Sequence, residues 1–261
     1  MKKYIIIHIL LAIGCISVNA DADWSENYFP YDTAALASGG TFTSSPLSQR
    51  LSPALAISTE FGATTAFVQD VHVYYIAASV RSFSFDAYYY RWGSEEWRDS
   101  DGTLLGEYYA GDYSFAAGYN HRIGAFNPAL QIRVHYKEIG AVSATAFRIA
   151  PSVTYAHRTF LGGISWIDPT DGIWAVFGAY DLGYARLSLR TDYDNDFIPF
   201  FGSTFFLTSQ RNATLALGLY DGHFSTGFSL TKNTITFHYA LLLHNAGLTT
   251  HSFGITFSPT R

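Results

Sequence analysis

Six basic side chains stand at alternating positions in three segments. Arg133, His135 and Lys137 lie in "ALQIRVHYKEI" (129–139), Arg148 in "FRIAPSVTY" (147–155), and Arg186 and Arg190 in "ARLSLR" (185–190). Side chains alternate across an extended strand, so each set falls on one face. Gathered on one wall, they would attract anions. They would equally solvate a narrow interior by pairing with Asp86, Glu138 or acids of the connecting loops, and this pairing is the expected outcome. A second candidate, "DYDND" (192–196), spaces carboxylates as calcium loops do, but Phe197 and Ser203 replace the Gly and Glu such a loop requires. A solvated hairpin tip is expected there. A third, "LLLHNAGLTTHSF" (241–253), places His244 and His251 near Ser252. A nucleophilic serine needs an adjacent base and an orienting group. His251 and Ser252 are sequence neighbours and point to opposite faces of a strand. With no third group and no Gly-x-Ser-x-Gly, no enzymatic activity is expected. No phosphate loop or metal-ligand spacing occurs, and no cofactor is expected.

The elements that carry these residues read as strands throughout. Leu130, Ile132, Val134 and Tyr136 alternate with Gln131, Arg133, His135 and Lys137 without a break. The same sense recurs in Phe83, Phe85 and Tyr89 against Ser84, Asp86 and Tyr88, and in Leu187 and Leu189 against Arg186 and Arg190. Such period-2 segments, divided by short turns rich in Gly, Asp and Asn, predict hairpin-linked antiparallel strands. About fourteen (12–14) are counted. The first falls near 53–61 and the last near 249–257. No twelve-residue window holds a helical period.

Composition decides what the apolar face meets. Aromatics make up 17% of the 261 residues and charged residues only 14%, against about 25% charged in ordinary soluble domains. A dense β-sandwich would bury the apolar rows. A transmembrane barrel would turn them to lipid. Hairpin linkage and aromatics near strand ends favour the barrel, whose sheet must close because lipid cannot satisfy an open edge. The fold class is therefore expected to be all-β, a transmembrane antiparallel β-barrel. Leu130, Ile132, Val134 and Tyr136 are lipid-facing candidates, and Asp86, Arg133, His135, Lys137, Arg148, Arg186 and Arg190 are lumen-lining candidates.

"MKKYIIIHILLAIGCISVNA" reads as a secretory signal peptide (1–20), with two lysines before an apolar run and a small-residue cleavage site after Ala20. "AIGC" offers a weaker lipoprotein-type alternative at Cys15, the chain's single cysteine. Removing Lys2 and Lys3 takes the formal charge from −5 to about −7, which argues against nucleic acid as a partner. Residues 21–50 read as a short irregular segment, periplasmic or lumenal, and 51–261 as the barrel, placed in the outer membrane.

Two stretches carry a family resemblance. In residues 88–124, Trp92-Gly93, Asp101-Gly102, Gly106 and "AGDY" (110–113) follow an aromatic strand end. Residues 237–257 form a closing segment with a His-x-Ala-Gly turn, and "LSPALA" (51–56) stands near the start. In these features the chain resembles the PorQ/PorV group of outer-membrane barrels, which are similar to the long-chain fatty acid transporter (FadL). The resemblance implies a fourteen-stranded, non-enzymatic scaffold of type IX protein secretion that holds a surface partner of the PorZ kind. That partner would sit on the long loop, at Glu95, Glu96, Trp97 and Arg98. The alternative is a fatty-acid-transporter-like barrel passing hydrophobic or small anionic solutes.

Overall fold

The computed structural model describes residues 33–38, 51–55, 59–68, 71–91, 95–98, 101–108, 110–139, 142–168, 172–194, 196–220, 223–243 and 249–259. The signal-peptide and Cys15 readings fall outside them. Fourteen antiparallel strands form one closed barrel. They are β1 (Glu60–Val68), β2 (Val71–Val80), β3 (Phe83–Arg91), β6 (Ala110–Asn120), β7 (Phe126–Ile139), β8 (Val142–His157), β9 (Phe160–Asp168), β10 (Ile173–Asp181), β11 (Ala185–Asp194), β12 (Asp196–Phe206), β13 (Ala213–Tyr220), β14 (His223–Lys232), β15 (Ile235–Leu243) and β16 (Thr249–Phe257). Neighbours in sequence are neighbours in the barrel, and β1 closes it against β16 from Phe61↔Phe257 to Phe67↔His251. Between β3 and β6, two further strands, β4 (Glu95–Arg98) and β5 (Leu104–Tyr108), pair only with each other.

The alternation that builds the strands also sorts them against two environments. On β7, Gln131, Arg133 and His135 are buried inside the barrel, while Ile132, Val134 and Tyr136 are exposed outside it. Leu130 lies on the outer row and is half-buried. Outward-facing Phe85, Phe115, Leu189, Phe201, Phe237 and Phe253 continue this apolar surface around the barrel. An apolar exterior of this extent on a closed sheet is the arrangement of a transmembrane barrel: every ladder hydrogen bond is made internally, and the side chains meet hydrocarbon.

The first strand departs from the expectation. It is Glu60–Val68, not 53–61, and Pro53–Leu55 forms a single 3₁₀ turn inside the barrel. Alternation in "ALAIS" imitates a strand, but Pro53 lacks a ladder donor and the segment is held by interior side chains instead. A second departure is a short helix, α1 (Thr33–Ala37), in the stretch expected to be irregular. Its end is marked by Ser38, whose amide and Oγ both donate to the Ala35 carbonyl.

Candidate functional site

Among the described residues, buried polar and charged side chains are concentrated in the barrel interior, so it is where a site would be built. On the β3–β6–β7 wall, the register aligns Asp86 with Ala116 and Ala116 with Arg133. Ala116 is too short to intervene, and Arg133 Nη1 reaches Asp86 Oδ1 at 2.8 Å. Arg133 Nη2 also donates to Asp86 Oδ2 at 2.9 Å and to Gln131 Oε1 at 3.1 Å, and Nη1 donates to Ser114 Oγ at 3.1 Å. Gln131 Nε2 completes the cluster with a 3.1 Å bond to Asp86 Oδ2. Both charges are nearly sealed from solvent. Desolvation works against a buried pair of this kind, and the bonds from Gln131 to Asp86 and from Arg133 to Ser114 and Gln131 help to offset it.

Two residues further along the same strands lies a second cluster. The Tyr88 hydroxyl is 3.3 Å from Asp112 Oδ1, to which it donates, and 3.1 Å from His135 Nδ1. The Tyr88 and His135 rings meet edge-on at 5.9 Å. On the opposite wall, Arg190 binds Asp192 through Nε at 2.7 Å and through Nη2, and its guanidinium stacks over Phe200 at 4.6 Å. Asp192 therefore belongs to the interior face of β11 and not to a solvated hairpin tip.

The other candidates are placed as follows. Arg148 is buried directly across the β7–β8 ladder from Arg133. Lys137 is half-buried opposite Asp112. Arg186 lies at the rim, 3.6 Å from Asp181. Glu95, Glu96, Trp97 and Arg98 form β4, which pairs with β5 and not with the barrel sheet. Ser252 is buried and its Oγ pairs with Thr33 Oγ1 at 2.8 Å, whereas His251 points outward to the Tyr239 hydroxyl at 3.0 Å. Ser252 and His251 therefore do not pair with each other. Among the described residues no group of three or more His, Cys, Asp or Glu could hold a metal ion.

The residue patterns left open whether the segment before the barrel is periplasmic or lumenal; residues 33–38 and 51–55 lie inside the barrel. α1 packs Leu36 and Ala37 against Ala216, Ala240 and Leu242. Ser225 Oγ donates to the Ala37 carbonyl at 3.2 Å. Leu51–Leu55 docks on the other side. Asn120 and Asn127 donate to the Pro53 and Ala54 carbonyls at 3.2 and 3.0 Å, Ser52 Oγ meets Ser152 Oγ at 2.7 Å, and Ser165 Oγ donates to the Leu51 carbonyl. Leu51 and Leu55 then pack on Ala175, Phe177 and Ala179.

Inward glycines make the room. A Cβ on Gly202 would lie 2.1 Å from the Ser38 carbonyl oxygen, one on Gly227 2.7 Å from Ala37 Cβ, and one on Gly118 2.8 Å from Pro53 Cβ. Inward-facing glycines in otherwise alternating strands were the available sequence signal, since strand glycines mark close backbone approach.

Outside, the apolar surface carries an open recess of about 730 Å³ across β10–β14. Tyr180, Leu187, Leu189, Phe201, Leu219 and Phe224 rim it, and the small Gly178 and Ser203 form its floor.

No family model and no curated protein match the chain. Solved structures do. The Ralstonia pickettii toluene transporter TbuX is similar at TM-score 0.60 and 10% identity, over 89% of this chain and 99% of that one. A Pseudomonas aeruginosa FadL homologue is similar at TM-score 0.54 and 7% identity, over 87% and 98%. The Acinetobacter baumannii outer membrane protein Omp33 follows at TM-score 0.50 and 8% identity, over 77% and 98%. At these identities the likeness is one of fold, and the fold is that of outer-membrane barrels.

These matches correct the PorQ/PorV reading. The solved barrels just named are a toluene transporter, a FadL homologue and an outer membrane protein, and none is described as a type IX secretion scaffold. The PorZ-like partner rested on that resemblance alone, and nothing in the fold bears on Glu95, Glu96, Trp97 and Arg98 as contacts for a surface partner. The quoted motifs have a generic origin. Aromatics at an interface followed by Gly- and Asp-rich turns are what a membrane strand entering a hairpin requires, and "AGDY" simply opens β6.

Proposed function

We propose that this chain is an outer-membrane transport barrel for small hydrophobic solutes, with its N-terminal region as an internal gate. The observation that carries the reading is the seating of residues 33–38 and 51–55 within a closed fourteen-stranded barrel. They are held by hydrogen bonds and by two small apolar clusters, around Leu36 and around Leu51 and Leu55, and not by an integral strand. Bonds of this kind contribute about 1 kcal/mol each, so a segment so held is displaceable while the barrel stays intact. The fold is shared with a protein described as a toluene transporter and with a FadL homologue, which supports a hydrophobic cargo. Against small anions stands the pairing of Arg133 with Asp86 and of Arg190 with Asp192, which neutralises these inward cations.

The test is uptake of radiolabelled toluene by cells producing the protein, together with single-channel recording in planar bilayers. Saturable uptake with little steady ionic current is expected. A large, steady, anion-selective current without toluene uptake would replace this reading with that of an open anion pore.

A further inference from the structure

Of the described non-glycine residues, four have positive φ: Arg81 (57°), Arg158 (51°), Arg211 (55°) and Asn233 (55°). All four stand in hairpin turns at the rim where β1 begins and β16 ends. Asn is a usual occupant of the left-handed region and Arg is not; Gly or Asn would meet the same backbone at lower cost. Three arginines at such positions on one rim call for a role for the charge.

Arg211 has a partner within the barrel. Its Nη1 donates to Asp181 Oδ2 at 2.6 Å, and its guanidinium stacks on Phe206 at 4.1 Å. Arg81 and Arg158 have neither a hydrogen bond nor an ion pair among the described residues, and both are exposed. Arg122, exposed in the turn between theirs, spends only Nε on the Gly124 carbonyl. The three turns, 81–82, 121–125 and 158–159, are consecutive along this rim, from β2 to β9, and contain no Asp or Glu. Directly above them the outer face is aromatic. Phe83 and Tyr119 meet at 5.3 Å, Phe126 and Tyr155 at 5.0 Å, and Tyr155 and Phe160 at 6.4 Å.

We infer that this arc binds anionic phospholipid headgroups of the leaflet that the rim meets. The aromatic band sets the arginines at headgroup depth, because aromatic girdles mark the membrane interface. A cation on the polar side of that band faces lipid phosphates. Arginine's fork suits a phosphate, which it can bind with two parallel bonds. A soluble acidic protein would not require the band, so the lipid is the better-fitting partner.

The experiment uses the full chain in dodecyl maltoside micelles. It is titrated with dioleoyl-phosphatidylglycerol or dioleoyl-phosphatidylcholine, and bound lipid is counted by native mass spectrometry. The wild type should retain the anionic lipid more tightly, on the order of tenfold. R81Q/R122Q/R158Q should bring the two lipids to parity, and R81K/R122K/R158K should keep most of the preference. K232Q, on the opposite arc, should leave it unchanged. Heat-modifiable gel migration checks that each barrel is folded, and the single variants R81Q and R158Q, each expected to lose part of the preference, serve if the triple variant is not. A wild type without headgroup preference, or a folded triple glutamine variant that keeps it, would overturn the inference. So would equal loss in K232Q. Polyglutamate bound by the arc and not displaced by phosphatidylglycerol would overturn it in favour of an acidic protein partner.

Discussion

Gly202 and Ser38 lie so close that the β12 glycine has no room for a side chain: an added Cβ would meet the Ser38 carbonyl oxygen at 2.1 Å. That oxygen is backbone and cannot rotate away, so the N-terminal segment must shift. Gly202→Val is expected to displace α1 and to raise the steady conductance in planar bilayers, while heat-modifiable migration still reports a folded barrel. Unchanged conductance would mean that the segment does not limit passage.

The Asp86–Arg133 pair yields a stability prediction. Asp86→Ala leaves a buried guanidinium uncompensated and is expected to cost about 3–5 kcal/mol, read from urea unfolding in lipid vesicles. Asp86→Ala combined with Arg133→Met should recover most of that loss. If the double variant is no more stable than the single one, the pair is not the coupled unit described.

Ser52 and Ser152, 100 positions apart, share a 2.7 Å bond that ties the 3₁₀ turn to β8. Ser52→Ala and Ser152→Ala should each weaken docking by about 1 kcal/mol. Because they remove the same bond, their effects should not add. Protease accessibility of residues 39–50 provides the readout, and full additivity would show that the hydroxyls act separately.

The outer row of β7 tests both facing and depth. Ile132→Arg, at mid-strand, is expected to destabilise the barrel by about 2–4 kcal/mol, and Tyr136→Arg, nearer the strand end, by about 1 kcal/mol or less. Equal costs in vesicle unfolding would contradict a bilayer centred on the middle of β7.

Much of the barrel was legible because a membrane strand must alternate without interruption. Ile132, Val134 and Tyr136 could be sorted from Gln131, Arg133 and His135 by parity alone. The choice between a periplasmic and a lumenal place for the segment before the barrel was not legible, because nothing local specifies it. Thr33–Ala37 is too short to show a helical period, and its place is set by Ser225 and Ser252, 188 and 219 positions away. Asp192 was misplaced for a related reason: "DYDND" has the composition of a turn, yet β11 continues to Asp194, and only the position of Arg190 two residues earlier shows where the carboxylate is spent.

The two anchors of the N-terminal region also bear on the order of assembly. Leu51–Leu55 needs side chains from β6 to β10, whereas α1 needs β13 to β16. The Thr33–Ser252 bond spans 219 positions, so it cannot form before the last strand has been delivered to the sheet. Contacts this remote along the chain are slow to form because loop closure must precede any gain from them. Thr33–Ala37 is thus made early and seated late: the inner wall of β6 to β10 can be covered by Leu51–Leu55 while that of β13 to β16 stays vacant until the last strand is in place.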